Sequence, residues 1–412
     1  MSDQPVAVVG AGIVGVCCAL WLQQSGRKVI LFDGAEPGSG TSSGNACTIA
    51  NYGCVPVNNP AIPRQLPSLL FSSDSPLSID LLHAAAHPGW VISFLKHCRA
   101  SEVSRIISAL GSLLRQTHDG LDPLVTAAGA DDLFKQNGCL YVYATKAAYD
   151  AATPYNQARA ENGVHFETLD NAEIRDLEPQ LQMDFHRGLL FSNARQTVNP
   201  QTLVQRLFQH FIASAGQFRQ AKVVETAADG EWIKLTDGEK ISVSKVVIAA
   251  GAFSRQLKNA GTARLPLQTE RGYHVQFAGY ESMLSRPVGW AEAGLYATPM
   301  DRGLRFAGTV EIAGLNRPVN QRSLNYLRKR ARQMMAIDQP PSQTWLGFRP
   351  TLPDSLPVIG HHQHSPNLIY AFGHQHIGLT LAGITGKLVS EIVSGVPTCV
   401  DIDPFSPHRF SS

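Results

Sequence analysis

The chain has 412 residues, 44% of them hydrophobic and 17% charged, with a formal net charge of +2. That length suits two domains or one large α/β unit, and the balanced composition excludes a disordered, collagen-like or coiled-coil protein. So small a net charge creates no global field to concentrate nucleic acid or anionic lipid, so partners have to be recognised locally.

In chain order, Val6–Val9 reads as a short apolar strand. Gly10-Ala11-Gly12-Ile13-Val14-Gly15 then turns into a helix that runs to Gln24, and Lys28–Phe32 is a second strand with Asp33 at its end. This is a βαβ unit. Its three glycines, and Asp3 rather than a basic cluster before it, disfavour a signal peptide or anchor. Residues 34–67 are rich in Gly, Ser, Asn and Pro, a composition typical of a ligand-covering loop. Helical patterns follow over 81–124, a strand over 139–144, and helices over 147–162, 171–177 and 199–215. Strands are expected at 223–235 and 241–250 around Thr236-Asp237-Gly238, and alternating runs over 265–314 predict an antiparallel sheet. A basic helix at 323–337, a buried strand at 368–371 and an apolar helix from Leu379 complete the chain. The seven cysteines, 17, 18, 47, 54, 98, 139 and 399, have no metal-ligand or Cys-x-x-Cys spacing, which suits reduced thiols in a cytoplasmic setting.

The glycine turn carries the first chemistry. Gly10 and Gly12 permit a tight turn and close approach of a pyrophosphate to the backbone N–H groups of a helix N-terminus, and Gly15 lets helix and strand pack. Asp33 stands 21 residues beyond Gly12, where a carboxylate accepts ribose hydroxyls; this argues against a 2′-phosphate. NAD and FAD both remain open on this unit alone.

Further along, the chain carries Gly40-Thr41-Ser42-Ser43-Gly44-Asn45-Ala46, Val246-Val247-Ile248-Ala249-Ala250-Gly251-Ala252, Gly347-Phe348-Arg349-Pro350-Thr351-Leu352-Pro353-Asp354, Pro357-Val358-Ile359-Gly360, Gly373-His374 and Gly378-Leu379-Thr380. In this order the sequence resembles the FAD-dependent D-amino-acid oxidase superfamily, and within it most closely the bacterial D-amino-acid dehydrogenases. The resemblance implies an α/β fold, with a Rossmann-like FAD domain at 1–55, 150–258 and 345–412 and a mainly antiparallel substrate domain at 56–149 and 259–344. It implies FAD contacts along Gly10–Gly15 and at Asp33, Gly34, Thr41, Ser42, Asn45, Ala46, Val223, Ala250, Gly251, Gly347, Gly373, His374, His376, Ile377, Gly378, Leu379 and Thr380. Cys47-Thr48 depart from the Gly-Gln common at that point, so Cys47 joins the flavin loop as an unusual contact. The branch with a covalent flavin carries its cysteine where this chain has Gly347, which leads to an expectation of noncovalent FAD. The C-terminal helix would aim its positive end at the flavin pyrimidine.

Arg349 is the main substrate candidate, because a guanidinium grips a carboxylate through two parallel hydrogen bonds and the matching arginine in relatives does so. Tyr273 and Tyr52 are expected to donate phenol hydrogen bonds to that carboxylate or to cover the pocket. No carboxylate suited to a basic side chain is identifiable, so small or apolar D-amino acids are expected, D-proline and 4-hydroxy-D-proline among them. The implied reaction is dehydrogenation, with electrons passing to a respiratory quinone or an electron-transfer partner. A glycine or sarcosine oxidase-like activity is the alternative. His361-His362-x-His364 lacks a carboxylate at ligand spacing, so no metal is expected. No RNA-binding or methyltransferase domain is visible, which argues against the branch acting on RNA. Arg328-Lys329-Arg330-x-Arg332 reads first as a solvated helix face, with peripheral contact to the inner membrane left open.

Overall fold

The computed structural model describes residues 4–63 and 74–410. Asp3 and the expected end of the glycine-rich loop at 64–67 lie outside them. Val6–Val9, apolar and buried throughout, sits inside a six-stranded sheet. Val29–Asp33 and Lys245–Ile248 flank it in parallel, Gln217–Gln220 and Ser365–Phe372 extend the parallel run, and Val358–His362 closes one edge antiparallel. Parallel strands covered on both faces must be apolar nearly throughout, and Val246, Val247 and Ile248 are fully buried. Helices Ile13–Gln24, Pro200–Ala213 and Gly378–Ser394 share one apolar cluster on one face. The small antiparallel sheet Val223–Thr226, Trp232–Leu235, Lys240–Ser242 covers the other.

A second sheet of nine strands is built on Gln268–Phe277, which pairs antiparallel with Gly303–Ile312 on one side and Gln343–Thr351 on the other. Helix Gln321–Met334 packs Leu324, Leu327, Ala331 and Met334 behind it. Strand pairing crosses the segment boundaries expected from the sequence. Glu167–Leu169 and Arg187–Phe191, inside 150–258, and most of Gln343–Thr351 all belong to this second sheet. The helical run over 81–124 is four helices, and the last two, Ala100–Leu114 and Thr117–Ala127, pack into the core of the first sheet.

Thr117–Ala127 crosses the C-terminal helix with almost no separation. A Cβ on Gly120 would lie 2.2 Å from the Ile384 nitrogen, one on Gly383 would lie 2.4 Å from the Gly120 carbonyl carbon, and Trp21 Nε1 donates to the Gly120 carbonyl at 3.0 Å. Two backbones must separate if either glycine gains a side chain. Gly120→Val is therefore expected to destabilise the fold by about 1–3 kcal/mol and to lower Tm in a thermal melt, whereas Gly89→Ala, in open space and without a left-handed backbone, serves as the control.

Candidate active site

Gly10 adopts φ +109°, and a Cβ there would fall 2.5 Å from the Ala249 carbonyl oxygen; a Cβ on Gly15 would fall 1.8 Å from the Gly10 oxygen. Strand, turn and helix thus touch through backbone alone, which leaves the N-terminus of Ile13–Gln24 open. That terminus has no side-chain cap of its own and no acidic residue in its first turn; the Ser42 hydroxyl accepts the Ile13 N–H at 3.0 Å. Asp33 accepts from the Ala11 and Ala35 N–H groups at 2.8 and 2.9 Å, holding its carboxylate at the strand end.

These groups line one wall of a cavity of about 1130 Å³. Of the expected cofactor residues, Gly10 to Val14, Asp33, Gly34, Thr41, Ser42, Asn45, Ala46, Val223, Ala250, Gly251, Gly347, His374, His376, Ile377, Gly378, Leu379 and Thr380 border it. Gly15 and Gly373 instead shape the turns behind it. Cys47 does not fit its expected role: it lies off the wall at φ +66°, its sulfur 3.2 Å from the Asn45 oxygen and 3.4 Å from Arg305 Nη1, and burial pushes its thiol up to about 11. Gly347 has no room for a side chain, because a Cβ would meet the Trp345 ring at 1.8 Å.

The loop around Gly44 runs between the two sheets and is fastened by residues the sequence reading passed over. Arg305 donates to the Ser43 and Asn45 carbonyls at 3.2 and 3.1 Å, Thr298 to the Ala46 carbonyl at 2.9 Å, and His274 Nδ1 bonds the Gly44 carbonyl at 2.9 Å. His274 stacks on Trp345, and burial, reinforced by Arg305, pulls its imidazole down to about 3, so it is neutral. His374 bonds Thr385 at 2.9 Å and is likewise held neutral by burial. The Thr380 hydroxyl accepts the Ala50 N–H at 2.9 Å. The single sequence signal for Arg305 and Thr298 was the alternation of the 265–314 region, which could not say which face meets the loop.

Arg349 lies on the cavity wall, donating to the Thr309 main-chain oxygen at 2.9 Å. Gly272, diagonal to it on the neighbouring strand, leaves it space, since a Cβ there would fall 2.3 Å from Nη2. Burial lowers its pKa from the usual arginine value, with Glu270 opposing. Tyr52 borders the cavity, stacked on Phe191, its hydroxyl 3.2 Å from Cys139 Sγ and 3.4 Å from the Tyr296 hydroxyl. Tyr273 also borders the cavity; its ring packs with Val275 and Phe277, and its hydroxyl donates to Glu311 at 2.5 Å and accepts the Asn320 N–H. A carboxylate that the sequence reading missed, Glu270, also borders the cavity, directly across from Arg349.

In the basic helix, Lys329 and Arg330 pair with Asp74, and Arg330 also lies over Tyr326 and Trp290. Among the described residues no helix is long and apolar enough to cross a membrane, and no group of three His, Cys, Asp or Glu has metal-holding geometry.

The fold and cavity define a dinucleotide-binding flavoprotein of two packed sheets. The family described as FAD dependent oxidoreductase matches residues 5–392, and the chain belongs to it. It is 33% identical over 415 residues, covering 98% of both chains, to a D-amino-acid oxidase of Bradyrhizobium diazoefficiens. Its fold is that of glycine oxidase from Geobacillus kaustophilus (TM-score 0.73, 21% identity, 98% of both chains). L-proline dehydrogenase from P. horikoshii superposes comparably (TM-score 0.72, 16% identity, 99% of this chain and 98% of that one). The cofactor is FAD, and the residues present fit it: the side-chain-free Gly10 turn, the uncapped helix terminus and the fixed Asp33 carboxylate form a pyrophosphate and ribose cradle.

With Gly347 filled by Trp345 and the Cys47 thiol turned away and protonated, acid or heat is expected to release all flavin as free FAD, read by its spectrum after protein precipitation. Arg305→Met removes two loop hydrogen bonds from a buried cation. FAD affinity should fall by roughly tenfold or more, measured by recovery of flavin fluorescence on dilution.

Proposed function

We propose that the chain oxidises the Cα–N bond of a small or apolar D-amino acid to the imine, with D-proline and 4-hydroxy-D-proline as the leading candidates, and passes the electrons to a quinone-type acceptor. The observation that carries this reading is Arg349, a guanidinium on the cavity wall whose hydrogen-bond partners are main-chain oxygens, in the notch left by Gly272. It is free to take a substrate carboxylate and so to fix the position of the α-carbon. Bound FAD supplies the hydride acceptor. The neutral His374 and His376 keep extra positive charge off this wall. Water then hydrolyses an acyclic imine to the 2-oxo acid and ammonium, while a proline substrate leaves as the cyclic imine.

Arg349→Ala is expected to cost on the order of 2 to 4 kcal/mol in kcat/KM and Arg349→Lys distinctly less, with FAD content retained. Equal activity of wild type and Arg349→Ala across a D-amino-acid screen with an artificial dye would remove Arg349 from the site.

A second reading, an oxidase producing hydrogen peroxide, is favoured by the name of the relative at 33% identity. Enzyme reduced anaerobically by substrate and mixed with air-saturated buffer separates the two. Slow reoxidation, with fast transfer to a quinone, is the expected outcome; millisecond reoxidation with stoichiometric peroxide marks an oxidase.

A further inference from the structure

Glu270 is 3% exposed, borders the cavity and stands directly opposite Arg349 on the neighbouring antiparallel strand. Such pairs share one face of a sheet with Cβ atoms roughly 5 Å apart. A buried acid and base in that position ordinarily close on each other. Here, among the described residues, no hydrogen bond or ion pair joins them: Arg349 donates to main-chain oxygens, and Glu270 Oε2 has no hydrogen-bond partner. A buried carboxylate oxygen without a partner costs free energy that a native site recovers when a ligand supplies the donor.

We propose that Glu270 is the ammonium-binding group of this site, so that an α-amino acid binds with its carboxylate on Arg349 and its ammonium on Glu270 Oε2. This rests on the amino-acid reading given above and adds the second half of substrate recognition. The adjacency of the two residues matches the one-carbon separation of charges in an α-amino acid. The groups facing the Glu270 carboxyl are Arg349 and Thr351, both on the adjacent strand. His376, from the loop before the C-terminal helix, faces Arg349 and is held neutral by burial and by that guanidinium. Burial raises the Glu270 carboxyl above its ordinary pKa while Arg349 and Thr351 pull it down. It therefore gains its proton at a higher pH than an exposed glutamate. Amino-acid affinity then falls as pH drops through that transition, and affinity for a carboxylic acid without an amine does not.

The test compares D-proline with cyclopentanecarboxylate, and D-alanine with propionate, on FAD-loaded wild type, Glu270→Gln and Glu270→Asp. Amino-acid Kd values come from anaerobic flavin reduction, and those of the plain acids from perturbation of the flavin spectrum. Glu270→Gln is expected to weaken the amino acids by roughly 10- to 100-fold, to leave the plain acids nearly unchanged and to abolish the acid limb of amino-acid binding, with Glu270→Asp intermediate. Equal weakening of both ligand classes would make Glu270 only a positioning partner of Arg349 and overturn the proposal. An unchanged Glu270→Gln, or a loss confined to D-arginine and D-lysine, would overturn it as well. A wild-type flavin that no amino acid reduces and no plain acid perturbs would instead refute the amino-acid reading, and the proposal with it.

Discussion

A polypeptide that crosses the interior of a protein must find a partner for every buried peptide group, and the segment from Ser42 to Ala50 does so between two sheets. Its partners come from nearly every part of the chain: the first turn of helix Ile13–Gln24, Thr197, His274, Thr298, Arg305 and Thr380. Each bond costs little to make and much to lose, because its counterpart is already out of water. The segment also lines the cavity, at Ser42, Gly44, Asn45, Ala46, Thr48 and Ala50.

The same constraint explains the unusual side chains nearby. An arginine sits buried at Arg305 because two carbonyls and Gln276 Oε1 leave it satisfied. A tryptophan occupies the space beside Gly44 and Gly347, where either glycine's Cβ would collide with its ring. Cys47 tolerates a left-handed backbone because the Asn45 side chain accepts its N–H at 2.8 Å.

Much of this was legible in the residues. The βαβ unit, the helices at 171–177 and 199–215 and the C-terminal helix announce themselves by periodicity and capping, and the glycine turn fixes where a dinucleotide lies. Arg349 was singled out through the family resemblance rather than by any local pattern, and it lies on the cavity wall. Glu270 was missed because adjacent residues on a strand point to opposite faces, and only the register against Gln343–Thr351 sets it across from Arg349 on the cavity wall. The segment boundaries were misjudged for a related reason: strands join sheets by pairing, which leaves no local mark in composition.

The order of the six-stranded sheet has a consequence for how the chain is made. Its central strand, Val6–Val9, is made long before its neighbour Lys245–Ile248, and longer still before the strand beyond that, Ser365–Phe372. The helix that interlocks with Thr117–Ala127 arrives later still. The nascent protein therefore carries an apolar, half-paired strand while the intervening residues are made, and closure of the sheet waits for Val358–His362 and Ser365–Phe372. Such long-range pairing is slow and exposes strand edges to wrong partners, so the half-built sheet stays open to misassembly until Gly378–Ser394 can pack on it.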